Sequence, residues 1–471
     1  MKNLNEAFGW DKYIRPFLYK KLPSRTGWSA VLGTLSALTF IIMVLTGMVL
    51  AMYYVPSPDK AWESVQYITN EIPCGNILRG LHHWGAGAMV VLVFLHLVIN
   101  YLHGSYIRPR QWTWVTGACL FLVTLGLGFT GYLLPWDMKA YWATIVGSNI
   151  PSQYPLIGEG LSHFILGGDG MSGFTLSRFF AVHVLVLPAF LLLFVAMHIY
   201  LIRVHNLSDP RERVGGEELP PEDDAKPYRF FPEHMTRTAI AFGLFFIVLF
   251  YLAATVPAHL DPKAGTFIAD FLPRPEWYYL WLFQLLTYFT GSWETFGSLV
   301  LPVGGVILLF GVPFFSESRM KGVMARPVSL AIMATLLIAM VFLSWQAVHE
   351  ARPYKEIAVV PERTLNEQEQ RGLYLYVQNQ CSYCHNVNGM AGHRKGPDLS
   401  NVVAKDRTAE YLTQYIRDPK QVVSYTSMPE YKLKDADLKA LAAYLLSLDF
   451  SSSNRPVIVQ QADVLKQGAS R

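Results

Sequence analysis

Residues 378–389 read QNQCSYCHNVNG, with the core Cys381-Ser382-Tyr383-Cys384-His385. A C-x-x-C-H of this kind attaches a c-type haem: thioethers from Cys381 and Cys384 hold the ring, and His385 ligates the iron. A zinc site is disfavoured because no second C-x-x-C is present. Two apolar stretches carry a second set of ligands. GLHHWGAGAMVVLVFLH places His82 and His96 14 residues apart, and FAVHVLVLPAFLLLFVAMH places His183 and His198 15 apart. On a helix, 14 steps fall about 40° short of four turns and 15 overshoot by about 60°, so each pair shares a face, whereas His83 would sit about 140° from His96. The rise per pair is roughly 21–22 Å, which puts one histidine near each membrane face. Two such helices side by side can hold two stacked b-type haems, each between two imidazoles. Chain direction pairs His82 with His183 at the outer level and His96 with His198 at the inner level.

A haem is wide, and the neighbouring stretches make room. Gly33 and Gly47 are 14 apart, as are Gly117 and Gly131, the same spacing as the first histidine pair. Small-residue packing is common between membrane helices, but two glycine pairs at the histidine spacing point to haem clearance. Arg79 and Arg178, near the outer ends of the histidine helices, are candidates to pair with haem propionates; interfacial snorkelling is the competing reading.

These residues need spanning helices to position them. Of the 471 residues, 52% are hydrophobic and only 16% charged, which suits a polytopic membrane protein with a polar appendage. Seven long apolar runs lie at about 30–54, 80–102, 112–134, 179–202, 238–257, 297–315 and 328–347, each near the roughly 20 residues a bilayer helix needs. Backbone groups in lipid must bond internally, so the runs are helices. The N-terminal segment and the loops at 103–111, 203–237 and 316–327 hold 17 Lys and Arg, against six in the alternate loops. The N-terminus is therefore expected in the cytoplasm and the C-terminus outside, the side on which c-type haem is attached. No cleavable signal is expected, because the first 28 residues are charged and lack an apolar core. The formal net charge of +4 implies no nucleic-acid partner. Residues 351–366, with Pro353 and Pro361, are expected to be a linker. Residues 367–450 are expected to form a small, mostly helical domain whose stretch 435–448 is core, and 451–471 a polar tail. The fold class is all-α: a four-helix dihaem bundle (29–237), three further spanning helices (238–350) and the small haem domain.

Two further stretches complete a resemblance: Gly131-Tyr132-Leu133-Leu134-Pro135-Trp136 and Pro275-Glu276-Trp277-Tyr278. With the histidines and glycines they resemble the cytochrome b family of quinol-oxidising bc complexes over residues 10–347. The resemblance is closer to the b6 type joined to its companion subunit, because the second histidine pair is 15 apart and Arg203 follows His198 by five. The cysteine that attaches an extra haem in b6 falls on Val31, an arginine common in the family is Ile99, and the C-terminal haem domain is an addition.

The resemblance implies a function. Glu276 is the candidate base that takes a proton from quinol at an outer site, with Tyr132 and Tyr278 as pocket-wall or hydrogen-bonding groups among the aromatics Phe271, Trp277 and Trp281. One electron is expected to pass outward to the fused haem c, and the other across the membrane through two haems b to an inner quinone site near Arg203, coupled to proton translocation. Met428 in Thr426-Ser427-Met428-Pro429 resembles the iron ligand of class I cytochromes c; Met390 and His393 are alternatives. Methionine ligation raises the potential, which suits an acceptor downstream of quinol, and fusion keeps that acceptor at high local concentration. Gly396-Pro397-Asp398-Leu399 resembles the loop that packs on the haem edge. The glutamate leans toward ubiquinol or plastoquinol without excluding menaquinol. The chain has no two-cysteine, two-histidine iron–sulfur signature, so a separate Rieske subunit is implied. A homodimer, the membrane quinone pool and a soluble or membrane-bound electron acceptor are the other implied partners, in a bacterial inner membrane with the haem c domain periplasmic. Two rivals are weighed: a dihaem membrane anchor relaying electrons linearly to a partner oxidoreductase, and a non-catalytic transporter or sensor with a cytochrome domain.

Overall fold

The computed structural model describes residues 9–23, 27–152, 154–168, 171–208, 228–264, 274–289, 293, 295–315, 323, 326–349, 357–388, 398–400, 402–403, 407–423, 428, 430–431, 433–450 and 455–469. The described residues are mostly helical and divide into two compact units, one built on the first 348 residues and the other mainly on His349–Arg471.

Seven helices of the first unit are long and apolar enough to cross a membrane: α1 (Trp28–Tyr53), α2 (Gly75–His103), α3 (Gln111–Tyr132), α4 (Gly173–His205), α5 (Phe230–Thr255), α6 (Phe296–Phe315) and α7 (Pro327–His349). They coincide with the seven apolar runs. α2 is delimited by two left-handed residues, Cys74 (φ 59) before it and Gly104 (φ 67) after it. Gly104 ends the helix as a glycine C-cap should, its N–H returning to the Tyr101 carbonyl at 3.1 Å. Large apolar side chains such as Leu45 (60% exposed), Leu185 (67%) and Ile247 (65%) stand on the outside of these helices, as lipid-facing residues must.

α1 packs on α2, α2 on α3 and α3 on α4, which makes the bundle; α5 lies on α1 and α2, and α6 on α3. The α2–α5 crossing is close: a Cβ at Gly80 would sit 2.8 Å from the Ala253 carbonyl oxygen. Trp114 Nε1 donates to the Leu309 carbonyl at 2.8 Å and ties α3 to α6.

α4 opens into a π-turn at Val182–Val186, which contains His183. Pro188 supplies the cause, since it has no N–H to return to residue 184 and its ring crowds that carbonyl. A π-turn takes up one extra residue. The 15 steps from His183 to His198 therefore sweep about the angle of 14 regular ones, and the two histidine helices come into the same register.

In the second unit, β1 (Ile357–Pro361) pairs antiparallel with β2 (Pro456–Gln460), Ile357 opposite Gln460. Between them lie α8 (Glu367–Gln378), α9 (Ala409–Arg417) and α10 (Asp435–Ser447), and α11 (Gln461–Ala469) follows β2. α8 starts with a capping box: Glu369 N–H donates to Asn366 Oδ1 at 2.8 Å, and Asn366 N–H to Glu369 Oε2 at 2.9 Å. α8 crosses α10 at Gly372, where the Ala440 carbonyl leaves no space for a side chain. Leu373, Tyr376, Leu438, Leu441 and Tyr444 form the core with β1. Two expectations change here. Part of the stretch read as linker is strand β1, and part of the stretch read as a polar tail is strand β2 with helix α11. The reason is tertiary: neither strand has a partner until the chain's two distant segments meet, and Tyr444 Oη then donates to the Val359 carbonyl at 2.7 Å.

Candidate haem and quinol sites

The outer histidines face each other across the bundle, the rings of His82 and His183 6.3 Å apart between centroids and 74° to one another. Two metal–imidazole bonds of about 2 Å, with the half-widths of two rings, span close to that distance. The pair therefore fits a single iron held from both sides.

Each ring is oriented from behind. Thr46 Oγ1 lies 2.9 Å from His82 Nδ1 and donates its own proton to the Ile42 carbonyl at 2.7 Å. Its hydroxyl can then only accept, so His82 Nδ1–H donates to it and Nε2 keeps its lone pair for a metal. The same device recurs twice. His183 Nδ1 donates to Thr130 Oγ1 at 3.1 Å, whose proton goes to the Gly126 carbonyl at 2.8 Å. His198 Nδ1 donates to Thr116 Oγ1 at 2.9 Å, whose proton goes to the Thr113 carbonyl at 3.0 Å. His96 differs: Asn100 Nδ2 donates to its carbonyl at 2.7 Å and lies 3.3 Å from its Nδ1. These threonines and Asn100 were not singled out in the sequence. A signal for them existed, since a threonine immediately precedes Gly47, Gly117 and Gly131.

The four glycines stand directly against the four rings. A Cβ would lie 3.0 Å from His96 Cε1 at Gly33, 3.0 Å from His82 Cε1 at Gly47, 3.3 Å from His198 Cε1 at Gly117 and 2.6 Å from His183 Cε1 at Gly131. The levels are those read from the spacing, and the clearance serves the imidazoles that would carry the haems. Among the described residues no group of three or more His, Cys, Asp or Glu could chelate a metal without a macrocycle.

Arg79 is bonded to the loop after α5, Nη1 donating to the Ala258 carbonyl and Nη2 to the His259 carbonyl, both at 2.7 Å. Arg178 Nη1 donates to the Phe164 carbonyl at 2.9 Å. Arg203 lies over the Phe230 ring at 5.5 Å, and its carbonyl accepts from Lys20 Nζ at 3.3 Å.

The Pro-Glu-Trp-Tyr stretch opens a short turn, Trp277–Tyr279, and the helix Leu280–Thr287. The turn lies on α2 and α3 one helical turn from His183's glycine. Tyr279 Oη donates to the Leu125 carbonyl at 2.5 Å. A Cβ at Gly128 would meet Tyr278 Oη at 2.8 Å, and one at Gly87 would meet Trp277 Nε1 at 3.4 Å. Trp281 Nε1 donates to the Tyr278 carbonyl at 3.1 Å. Glu276 is 15% exposed and its Oε1 accepts from Lys139 Nζ at 2.7 Å. Tyr132 and Tyr278 lie within electrostatic range of that carboxylate. Burial pushes the Tyr278 hydroxyl up, so it stays protonated as a donor. Phe271 lies outside the described residues.

Cys381–Tyr383 form a tight turn after left-handed Gln380 (φ 53), and His385 N–H returns to the Cys381 carbonyl at 3.0 Å. Cys381 and Met428 pack on the same core. Met390, His393, Gly396 and Pro397 lie outside the described residues. One buried side chain, Gln461, reaches the attachment loop from α11: its Nε2 donates to Ser382 Oγ at 2.9 Å and to the Ile357 carbonyl at 3.0 Å.

A multi-pass helical protein with two histidine pairs in one bundle and a C-x-x-C-H domain behind it defines a class of membrane haem protein, and comparison with known proteins agrees. Residues 19–206 match the family cytochrome b/b6/petB, 273–361 match cytochrome b(C-terminal)/b6/petD, and 369–449 match cytochrome c. The menaquinol:cytochrome c reductase cytochrome b subunit of Geobacillus thermodenitrificans is 48% identical over 179 residues, 38% of this chain and 80% of the relative. Cytochrome b of Rickettsia prowazekii is 30% identical over 321 residues, 67% of this chain and 78% of the relative. A solved hyperthermophilic respiratory Complex III superimposes with TM-score 0.68 at 26% identity, covering 75% of this chain and 92% of that one. The chain belongs to the cytochrome b/b6 family of bc complexes and carries a fused cytochrome c domain at its C-terminus.

Proposed function

We propose that the protein is the cytochrome b subunit of a bc-type complex and oxidises membrane quinol at an outer-side site. The observation that supports this reading is the seat of the Pro-Glu-Trp-Tyr turn on α2 and α3, with Tyr278 against Gly128, one turn from Gly131, and Glu276 within electrostatic range of His83, the neighbour of His82. His82 with His183 and His96 with His198 would hold two haems b, and Cys381, Cys384, His385 and Met428 one haem c. When bound, these groups supply one-electron relays, two stacked across the membrane and one on the outer side. The chain's own residues do the rest. Thr46, Thr116 and Thr130 fix the histidine tautomers. Glu276 accepts the proton from the quinol hydroxyl, and the side chains of Tyr132 and Tyr278 line the pocket. Arg79 and Arg178 stand near the outer haem level, where propionates would compete with their carbonyl partners, and Arg203 marks the inner quinone site.

A Rieske iron–sulfur subunit, a homodimeric assembly, an electron acceptor and placement in a bacterial inner membrane with a periplasmic haem c domain belong to the same proposal. The glutamate leans toward ubiquinol or plastoquinol, whereas the Geobacillus relative is named for menaquinol; turnover with each quinol class separates them. The decisive experiment uses the purified complex in mild detergent, with quinol present and the inner site inhibited. After an oxidant pulse, haem b should show transient extra reduction while haem c is oxidised. If haems b and c are oxidised together, the chain is a linear wire of the dihaem-anchor kind.

A further inference from the structure

Lys139 has no role in the reading so far beyond its place in the charge balance of the loops. It occupies the first turn of the helix Met138–Ser152, where a cation opposes the helix dipole and is unfavourable. Helix stability therefore does not account for it. Its side chain is two-thirds covered and its ammonium sits 2.7 Å from Oε1 of Glu276, a residue 137 positions away in sequence whose side chain is 15% exposed. Among the described residues it is the one cation within ion-pair distance of Glu276. His83, Tyr132 and Tyr278 also lie within electrostatic range of the carboxylate, but no direct bond joins them to it.

We propose that Lys139 is a positioning residue for quinol oxidation: it pins Oε1 of Glu276 so that Oε2 is presented to the quinol hydroxyl. This inference rests on Glu276 being the base. The structure shows Oε1 held by Lys139; on this proposal Oε2 is the oxygen that takes the proton. In the step, the quinol O–H bond breaks, a new O–H bond forms on Oε2, and the negative charge passes from the carboxylate to the quinol oxygen. The ion pair is then discharged. Lys139 faces a neutral acid, its hold weakens, and the carboxyl is released to turn toward the outer water. Lys139 thus both aims the base and lets it go once it is loaded.

The test is a double-mutant cycle in the purified complex. Quinol-driven haem b reduction is measured in wild type, Lys139→Met, Lys139→Arg, Glu276→Gln and the Glu276→Gln/Lys139→Met double variant. Haem b and haem c spectra of each variant serve as the folding control. Lys139→Met should lower kcat by about 10- to 100-fold, the cost of a misaimed group, with KM little changed, and Lys139→Arg should restore most of it. In the Glu276→Gln background Lys139→Met should cost nothing further, because a residue acting only through Glu276 has nothing left to aim. An equal loss in both backgrounds would overturn the proposal and make Lys139 a structural residue. Wild-type turnover in Glu276→Gln would instead overturn the base reading itself.

Discussion

A threonine hydroxyl has one proton, and at Thr46, Thr116 and Thr130 that proton is committed to a backbone carbonyl of its own helix. The histidine tautomer follows from this commitment. Thr130→Val removes the acceptor behind His183, and outer haem b affinity should fall by about 10- to 100-fold, read as haem b retained after detergent exchange. Gly131→Val places a branched side chain where even a Cβ would lie 2.6 Å from the His183 ring; with two haems b as proposed, the variant should lose one of them, seen as half the haem b absorbance with haem c unchanged. Asp137 gives a pH prediction. It is buried, its Oδ1 accepts from Ala140 N–H at 2.8 Å and its Oδ2 from Asp261 N–H at 3.2 Å. Burial raises its pKa from 3.8 to about 6. A carboxyl raised in the folded state contributes stability below its unfolded pKa and loses it as pH rises through the folded value, here between about 4 and 6, for about 3 kcal/mol. Melting in mild detergent should show wild type losing Tm relative to Asp137→Asn across that window, and no relative loss would count against the burial.

At the scale of elements, the segment after residue 455 is part of the haem c domain. β2 pairs with β1, α11 packs on α8, and Gln461 bonds both the Ile357 carbonyl and Ser382, between Cys381 and Cys384. The cytochrome c family match covers residues 369–449, so both strands of this clasp and α11 lie outside the matched residues. Gln461→Leu removes both bonds and should destabilise the second unit by about 1 to 3 kcal/mol, with faster proteolysis within 357–388 while the histidine bundle keeps its haem b spectrum. Unchanged proteolysis would mean the clasp is decorative. The π-turn in α4 belongs to this scale too, because one proline reconciles a 15-residue histidine spacing with a 14-residue one.

For the whole molecule the prediction concerns sidedness. In the proposed orientation, with the N-terminus inside, the loop between α1 and α2 lies outside. Cys74 at the end of that loop is exposed, whereas Cys119 within α3 is only partly so. A membrane-impermeant thiol reagent should label Cys74 in intact spheroplasts, and a Cys74→Ser variant should remain unlabelled. Labelling only after permeabilisation would invert the topology and move the haem c domain to the cytoplasm.

The seven spans, the shared face of each histidine pair, the matching glycine levels and the presence of a cytochrome c domain were legible in the sequence, because each depends on residues close in the chain, where helical periodicity and local chemistry act directly. Partnerships between distant segments were not. Lys139 meets Glu276 across 137 positions, the strand within the expected linker finds its partner beyond residue 455, and the threonines reach their histidines from neighbouring helices. Such contacts depend on how helices pack and in what register. That is settled by the summed burial and bonding of the folded chain, to which any one stretch contributes only a part.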